Sequence, residues 1–317
     1  MTNSIDKLVS VIIPAYNHEN YIQDTIKSII EQTYKDIELI VVDDGSKDST
    51  WQKIREMQEQ CEKRFVNVIF ETKQNEGTCK TLNKLLSLVK GEYVYLIASD
   101  DMAKPTAIEK EVNFLENNLD YALCVGDNEF MDSKGQLCYW GRRGKIVYNI
   151  HIAKCKSIKN IFKKKIKSLD DFGTYESLVK GNYIPNGYLI RRNIFDKIGN
   201  FIPEAPLEDY WLMLQIAKYS KMKFIDEILY SYRQHSNNTI KQKNRMWLMT
   251  QKTIFYEKEL VKNNKKLYNI WNKYEKKNKL NLLFVKFYKI DDLDNKKYYI
   301  SLFGKSFLIK TKYIKPE

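Results

Sequence analysis

Apolar residues gather in short continuous runs and, between those runs, recur at helical spacing. Residues 8–14 (LVSVIIP), 37–42 (IELIVV), 66–70 and 91–101 (GEYVYLIASDD) are β-branched and aromatic stretches of strand length. After the first, Tyr21, Ile22, Ile26, Ile29 and Ile30 fall at helical intervals up to Gln32. After the second, Ser49 stands as the cap of a helix carrying Trp51, Ile54 and Met57; after the third, Asn75-Glu76-Gly77 turns into a helix with Leu82, Leu85, Leu86 and Val89. Strands alternating with helices predict βαβ crossovers, hence an α/β chain with a mostly parallel central sheet covered on both faces. Beyond these, residues 121–139 predict a strand, a turn and a second strand, YLIRR a further strand, and residues 246–260 a helix.

In such a sheet, ligands bind beyond the carboxyl ends of the strands. Three strand ends carry polar clusters: Tyr16-Asn17, Asp43-Asp44-Gly45-Ser46 and Ser99-Asp100-Asp101. Adjacent carboxylates repel and are costly to desolvate. Asp100-Asp101 is therefore either a solvated turn before a helix opened by Pro105 or an oxygen site for Mg2+ or Mn2+. No G-x-G-x-x-G follows the first strand and no G-x-x-x-x-G-K-[ST] loop occurs, which disfavours a Rossmann dehydrogenase and a P-loop NTPase. The acids point to a different phosphate device, a divalent metal bridging protein carboxylates to a diphosphate. Glu208-Asp209 opens an apolar helical pattern, where it fits an N-cap with macrodipole benefit.

Charge adds a division along the chain. Residues 241–317 hold 20 basic and 7 acidic residues, which is the whole of the net +13, and from Arg142 to Lys167 there is no acid at all. Such blocks suit an anionic membrane surface, a phosphorylated acceptor or nucleic acid. The excess avoids the motif-bearing part and no nucleic-acid motif is present, so nucleic acid is not expected as a partner. The tail from residue 241 predicts a mainly helical basic extension, either lying on anionic lipid or packed as a cap on the main domain. No run approaches the roughly 18–20 apolar residues of a membrane span, and the first residues lack a signal-peptide pattern, which predicts a cytoplasmic protein. Five cysteines without C-x-x-C spacing point to reduced thiols rather than a zinc site or disulfide framework.

Six segments, taken in order over residues 8–240, resemble the inverting glycosyltransferases of family 2. They are VSVIIPAYNHENYIQDTIKSIIEQTYKDIELIVVDDGSKDST, NEG, YVYLIASDDMAKP, GYLIRRNIFDKIGNF, LEDYWLMLQIA and YRQHSNN. The resemblance implies a GT-A, Rossmann-like nucleotide-diphospho-sugar transferase fold. Residues 1–120 form its nucleotide-sugar half, 121–240 its acceptor half, and 241–317 the extension. It also implies metal-dependent transfer, with Mn2+ or Mg2+, from a nucleotide-diphosphate donor, UDP-sugar foremost, to a saccharide or lipid-linked glycan of the cell surface. Position by position, it places Pro14, Tyr16 and Asn17 in the nucleotide pocket and Asp43 or Asp44 on the base, with Asn83 and Ser99 also on the donor side. Asp100, Asp101 and His235 fall on the metal, Asp100 being preferred as the direct ligand of the two acids. Arg233 falls on the diphosphate, and Asp209, beside Glu208, is the general base. His18 and His151 receive no role. Two departures stand out: Ala98 replaces the first acid of the common Asp-x-Asp-Asp, and Thr81-Leu82-Asn83 stands where Ala-Arg-Asn is frequent. Ala98 keeps a non-catalytic glycosyltransferase-like binding protein open as the alternative.

Overall fold

The structure is a computed structural model describing residues 7–163, 165–278, 286–292, 295–302 and 305–313, with side chains described up to residue 275. It forms two compact units. One runs to Pro203 and takes up Leu212–His235; the other holds Glu204–Trp211 and the chain from Ser236 onward.

The first unit is built on a sheet of ten strands: β1 (Val9–Ala15), β2 (Ile37–Asp43), β3 (Asn67–Thr72), β4 (Tyr93–Leu96), β5 (Met102–Ala103), β6 (Tyr121–Asp132), β7 (Leu137–Trp140), β8 (Ile146–Val147), β9 (Tyr188–Arg191) and β10 (Lys221–Gln234). Between them run α1 (Ile22–Ile30), α2 (Thr50–Arg55), α3 (Gln58–Arg64), α4 (Thr78–Leu88), α5 (Ala107–Glu116), α6 (Lys159–Phe162), α7 (Tyr175–Leu178) and α8 (Phe195–Ile198). The strand order is β3-β2-β1-β4-β9-β6-β10-β5, with β7 beside β6 and β8 beside β7. β1 runs parallel to β2 and β4, β2 to β3, and β6 to β10, whereas β9 is antiparallel to both β4 and β6. The carboxyl ends of β1, β2, β4 and β10 therefore point to one edge. β9 enters at that edge, since its first residue, Tyr188, pairs with Leu96.

Burial explains the sequence pattern. All of β2, and all of β1 but Pro14, is buried, so both strands are continuous rather than alternating. The polar exceptions satisfy one another. Glu38 Oε1 accepts bonds from the Ser10 hydroxyl (2.5 Å) and from the amides of Lys90 (2.7 Å) and Gly91 (3.2 Å), and Asn67 donates to Oε2. Gly91 is required there, because a Cβ would lie 2.6 Å from the Leu8 carbonyl. α1 buries Ile22, Ile26 and Ile29, and α5 buries Ile108, Val112 and Leu115, each a single stripe toward the sheet.

Two local expectations change. The strand expected to run to Asp101 stops at Leu96: the Ile97 amide still bonds the Ile12 carbonyl, and then the Asp101 amide turns back to the Ala98 carbonyl. Asp100 and Asp101 thus ride a turn beyond the sheet, free of its side-chain alternation. Ser49 makes no side-chain cap of α2; Asp48 does that work, its Oδ1 accepting from the Thr50 amide at 3.0 Å. All five cysteines are free thiols.

In the second unit, the first turn of α9 (Glu208–Tyr219) is followed in the chain by α10 (Lys243–Leu260) and α11 (Lys265–Asn278). Trp271 and Val261 are buried, Lys258 pairs with Glu275 at 2.5 Å, and the Leu207 amide donates to the Thr253 hydroxyl. α10 carries the helix predicted over residues 246–260. Residues 286–313 add an antiparallel sheet, β11 (Lys286–Asp292), β12 (Asn295–Leu302) and β13 (Lys305–Tyr313), which the mixed Lys and aromatic tail did not disclose. Among the described residues no helix is long and apolar enough to cross a membrane.

Candidate functional site

The loops at the carboxyl edge are clasped together by the polar residues that end each strand. Asn17 takes a left-handed backbone (φ 53°), which an Asn tolerates. Its amide donates to the Ser46 hydroxyl and its side-chain oxygen accepts from the Lys47 amide, tying the loop after β1 to the loop after β2. Asp43 accepts from the Ser46 amide and hydroxyl and from the Thr72 hydroxyl. Asp44 accepts from the amides of Glu76 (3.0 Å) and Gly77 (2.9 Å) and from the Lys73 ammonium (2.5 Å). Burial opposes its charge, but those donors win and hold the carboxyl below its ordinary range. Beside these buried acids Tyr16 stays 43% exposed, and Pro14 lies just inside the strand.

The turn after β4 meets the end of β10. Asp100 Oδ2 lies 2.8 Å from Nε2 of His235 and 3.8 Å from Nε2 of His18, and the three ligand atoms of this set lie within 4.8 Å of one another. His18 Nδ1 lies 2.7 Å from the Ser99 hydroxyl. Burial would raise the Asp100 carboxyl, but the His235 hydrogen bond and the two nearby imidazoles outweigh it and hold it below the usual range. The His18 imidazole is pushed down, mainly by burial, with Asp100 opposing in part. Arg233, 1% exposed, is fixed from several sides. Its Nε donates to the Asp100 carbonyl (2.7 Å), another guanidinium nitrogen pairs with Asp24, and the ion lies over the Tyr21 ring.

Asp101, adjacent in the chain, does not join this cluster. It is fully buried, with Oδ1 accepting from the Arg233 amide and Oδ2 from the Tyr230 hydroxyl, both at 2.8 Å, and with the Asn186 side chain as a further donor. Burial and the charge of Asp100 push its carboxyl well above the ordinary range. Asn186 is itself placed by Asn128, whose side chain pairs with its backbone amide and carbonyl. Gly187 then passes against Tyr230 with φ +71°, where a Cβ would lie 2.0 Å from the ring. Asn83 has its amide taken up by the Phe201 backbone, with 2.8 Å bonds in each direction. In the second unit, Glu208 and Asp209 open α9. The Tyr210 amide donates to Asp209 at 2.5 Å, and burial together with the Asp209 charge pushes Glu208 up to about 8.

The geometry thus gathers Ser99, Asp100, Arg233 and His235, and it adds His18, which the sequence reading had left without a role. A signal for His18 did exist. It lies three residues past the end of β1, and β1 and β4 are parallel neighbours whose ends share an edge. An imidazole–carboxylate–imidazole donor set, largely buried and convergent, fits a divalent first-row cation.

The profile described as glycosyl transferase family 2 matches residues 10–181. An uncharacterized glycosyltransferase of Rickettsia typhi is 31% identical over 240 residues, covering 75% of this chain and 67% of that protein. Among solved structures, S. aureus TarS 1–349 in complex with UDP-GlcNAc superposes with a TM-score of 0.55 at 18% identity, covering 74% of this chain and 60% of that one. The mannosyltransferase PcManGT from Pyrobaculum calidifontis, in complex with GDP-Man and Mn2+, does so with a TM-score of 0.57 at 15% identity, covering 87% and 76%. At these identities the two structures show a shared fold and no more.

Proposed function

We propose that this chain, which belongs to glycosyl transferase family 2 and has the GT-A fold, moves a sugar from a nucleoside-diphosphate donor, UDP-sugar foremost, to a hydroxyl of a saccharide or lipid-linked glycan of the cell surface. The observation that carries this reading is the buried Asp100–His235 pair at the edge where the parallel strands end. The nucleotide sugars held by TarS and PcManGT support the donor class. The reaction is a single displacement. The acceptor oxygen bonds to the anomeric carbon while its proton passes to a carboxylate, and the bond to the diphosphate breaks with its electron pair, inverting the centre.

Asp209 is assigned the proton. Glu208, pushed up to about 8, keeps its own at neutral pH, so Asp209 is the member of that pair left to accept. Asp100 and His235 would hold Mn2+ or Mg2+, whose charge offsets the charge that grows on the leaving diphosphate. Arg233 adds a fixed guanidinium to the diphosphate side, and Asp101 acts as a positioning residue through the Arg233 amide. Ser99 orients His18, Tyr16 offers a ring face to the base, and Asn17, Asp43 and Asp44 hold the loops around it. Asn83 acts on the donor side through the Phe201 loop that it ties down. The basic excess of residues 241–317 supports peripheral contact with the anionic inner face of the cytoplasmic membrane.

Calorimetric titration with UDP, GDP, CDP and dTDP, each with Mn2+ and with EDTA, tests the reading. Tight binding of UDP that EDTA abolishes is expected; no binding of any of the four overturns it.

A further inference from the structure

We propose that His18 is a direct ligand of the cation, making the centre a two-imidazole, one-carboxylate site that selects a first-row transition ion such as Mn2+ over Mg2+. This rests on the metal-assisted reading above and specifies its ligand set. The His18 side chain is already held as a ligand would be. With Nδ1 2.7 Å from the Ser99 hydroxyl, a proton on Nδ1 donates to that oxygen and leaves the Nε2 lone pair on the side of Asp100, 3.8 Å away. His235 approaches the same Asp100 oxygen from its own Nε2 at 2.8 Å, so the ring nitrogens of both histidines face one carboxylate oxygen. The two rings meet edge to face, 5.7 Å between centroids, and His235 lies against Tyr21, so both are packed with their nitrogens toward Asp100. The three ligand atoms lie within 4.8 Å of one another, and since bonds of about 2.1 Å would hold neighbouring ligands about 3 Å apart, a side-chain shift of about an ångström would bring them onto one ion.

The oxygen side of the site is meanwhile poor. Asp101, the second acid of the motif, spends both oxygens on Arg233 and Tyr230, and Ala98 replaces the first acid. That leaves Asp100 as the carboxylate of the set. Mg2+ favours oxygen donors and parts reluctantly with its water, whereas imidazole suits the transition ions.

The test uses the full chain with UDP. Mn2+ and Mg2+ affinities are measured by calorimetry, and the imidazole nitrogens coupled to bound Mn2+ are counted by electron spin-echo modulation. The wild type is expected to bind Mn2+ at least about tenfold more tightly than Mg2+ and to show two imidazoles. His18→Ala and His18→Phe, the latter keeping a ring against Tyr21 and His235, are expected to lose about 10–100-fold in Mn2+ affinity, show one imidazole, and retain most of the Mg2+ affinity. Unchanged Mn2+ affinity with two imidazoles still coupled in either folded variant overturns the proposal alone. UDP binding by the wild type that is equal with Mn2+ and with EDTA overturns the metal-assisted reading together with it.

Discussion

Asp100-Asp101 and Glu208-Asp209 are both neighbouring acid pairs, yet the fold gives them opposite kinds of surroundings. In each pair burial and like charge drive one member toward its neutral form, Asp101 well above its ordinary range and Glu208 up to about 8. The difference lies in what holds the other surfaces. Asp101 is sealed by an amide and a hydroxyl in a fully buried position, while Asp100 is kept ionised by two histidines. Glu208 sits on the first turn of a helix, where free amides favour negative charge, and its proton leaves only near pH 8. One pair is built to keep a fixed charge beside a fixed neutral group; the other is built to titrate.

Substitutions that remove one charge from each pair break this comparison most sharply. Asp209→Asn is expected to lower turnover by about 10²–10⁴-fold while UDP affinity in the presence of Mn2+ stays unchanged, measured by steady-state rates and calorimetry. Equal loss of UDP binding would move Asp209 from the chemistry to the donor side. Asp100→Asn is expected to act the other way, lowering Mn2+-dependent UDP affinity by roughly tenfold or more. Asp101→Asn, an amide in place of an acid that burial and the Asp100 charge push toward its neutral form, should leave that affinity within about threefold of wild type, since even an orienting residue of a metal centre costs 10–100-fold only when its hydrogen bond is lost. If Asp101→Asn costs as much as Asp100→Asn, both acids are ligands and the assignment of a single carboxylate fails.

Most of the sheet was legible in the chain because buried parallel strands and amphipathic helices leave different spacings. β1, β2, α1 and α5 carry those spacings without interruption, and their burial follows them. The antiparallel sheet of residues 286–313 was not legible, since lysines and aromatics interleave there without a clean apolar face. The resemblance put Asp100 ahead of Asp101 as the direct ligand, but the local sequence held no physical reason for that division. Two adjacent aspartates have the same local sequence, and only the side chains brought in by β10, Tyr230, Arg233 and His235, tell them apart. His18 was passed over for a related reason: a lone histidine in a loop carries no spacing signal, and its partners Ser99 and Asp100 lie 81 and 82 positions away.

Truncating the sealed acid measures a smaller effect. Asp101→Ala leaves the Tyr230 hydroxyl and the Arg233 amide buried without their acceptor, and each such group costs about 1–3 kcal/mol. The melting temperature should fall accordingly, while Asp101→Asn, which keeps an oxygen acceptor, should fall less.

The pH dependence of stability separates the titrating pair from the fixed one. Glu208 is raised in the folded chain from its ordinary value near 4.5 to about 8. Between those values the unfolded chain has released this proton and the folded chain still holds it, so the folded state binds more protons and stability falls as pH rises. The loss begins near pH 4.5 and levels off near pH 8, where folded Glu208 ionises as well. Glu208→Gln removes that share of the slope, so its melting temperature should decline less steeply than the wild type's between pH 5 and 8, and the two curves should run parallel above it. Parallel curves over the whole range would mean that Glu208 is ionised at neutral pH, and the proton-holding role would pass to Asp209.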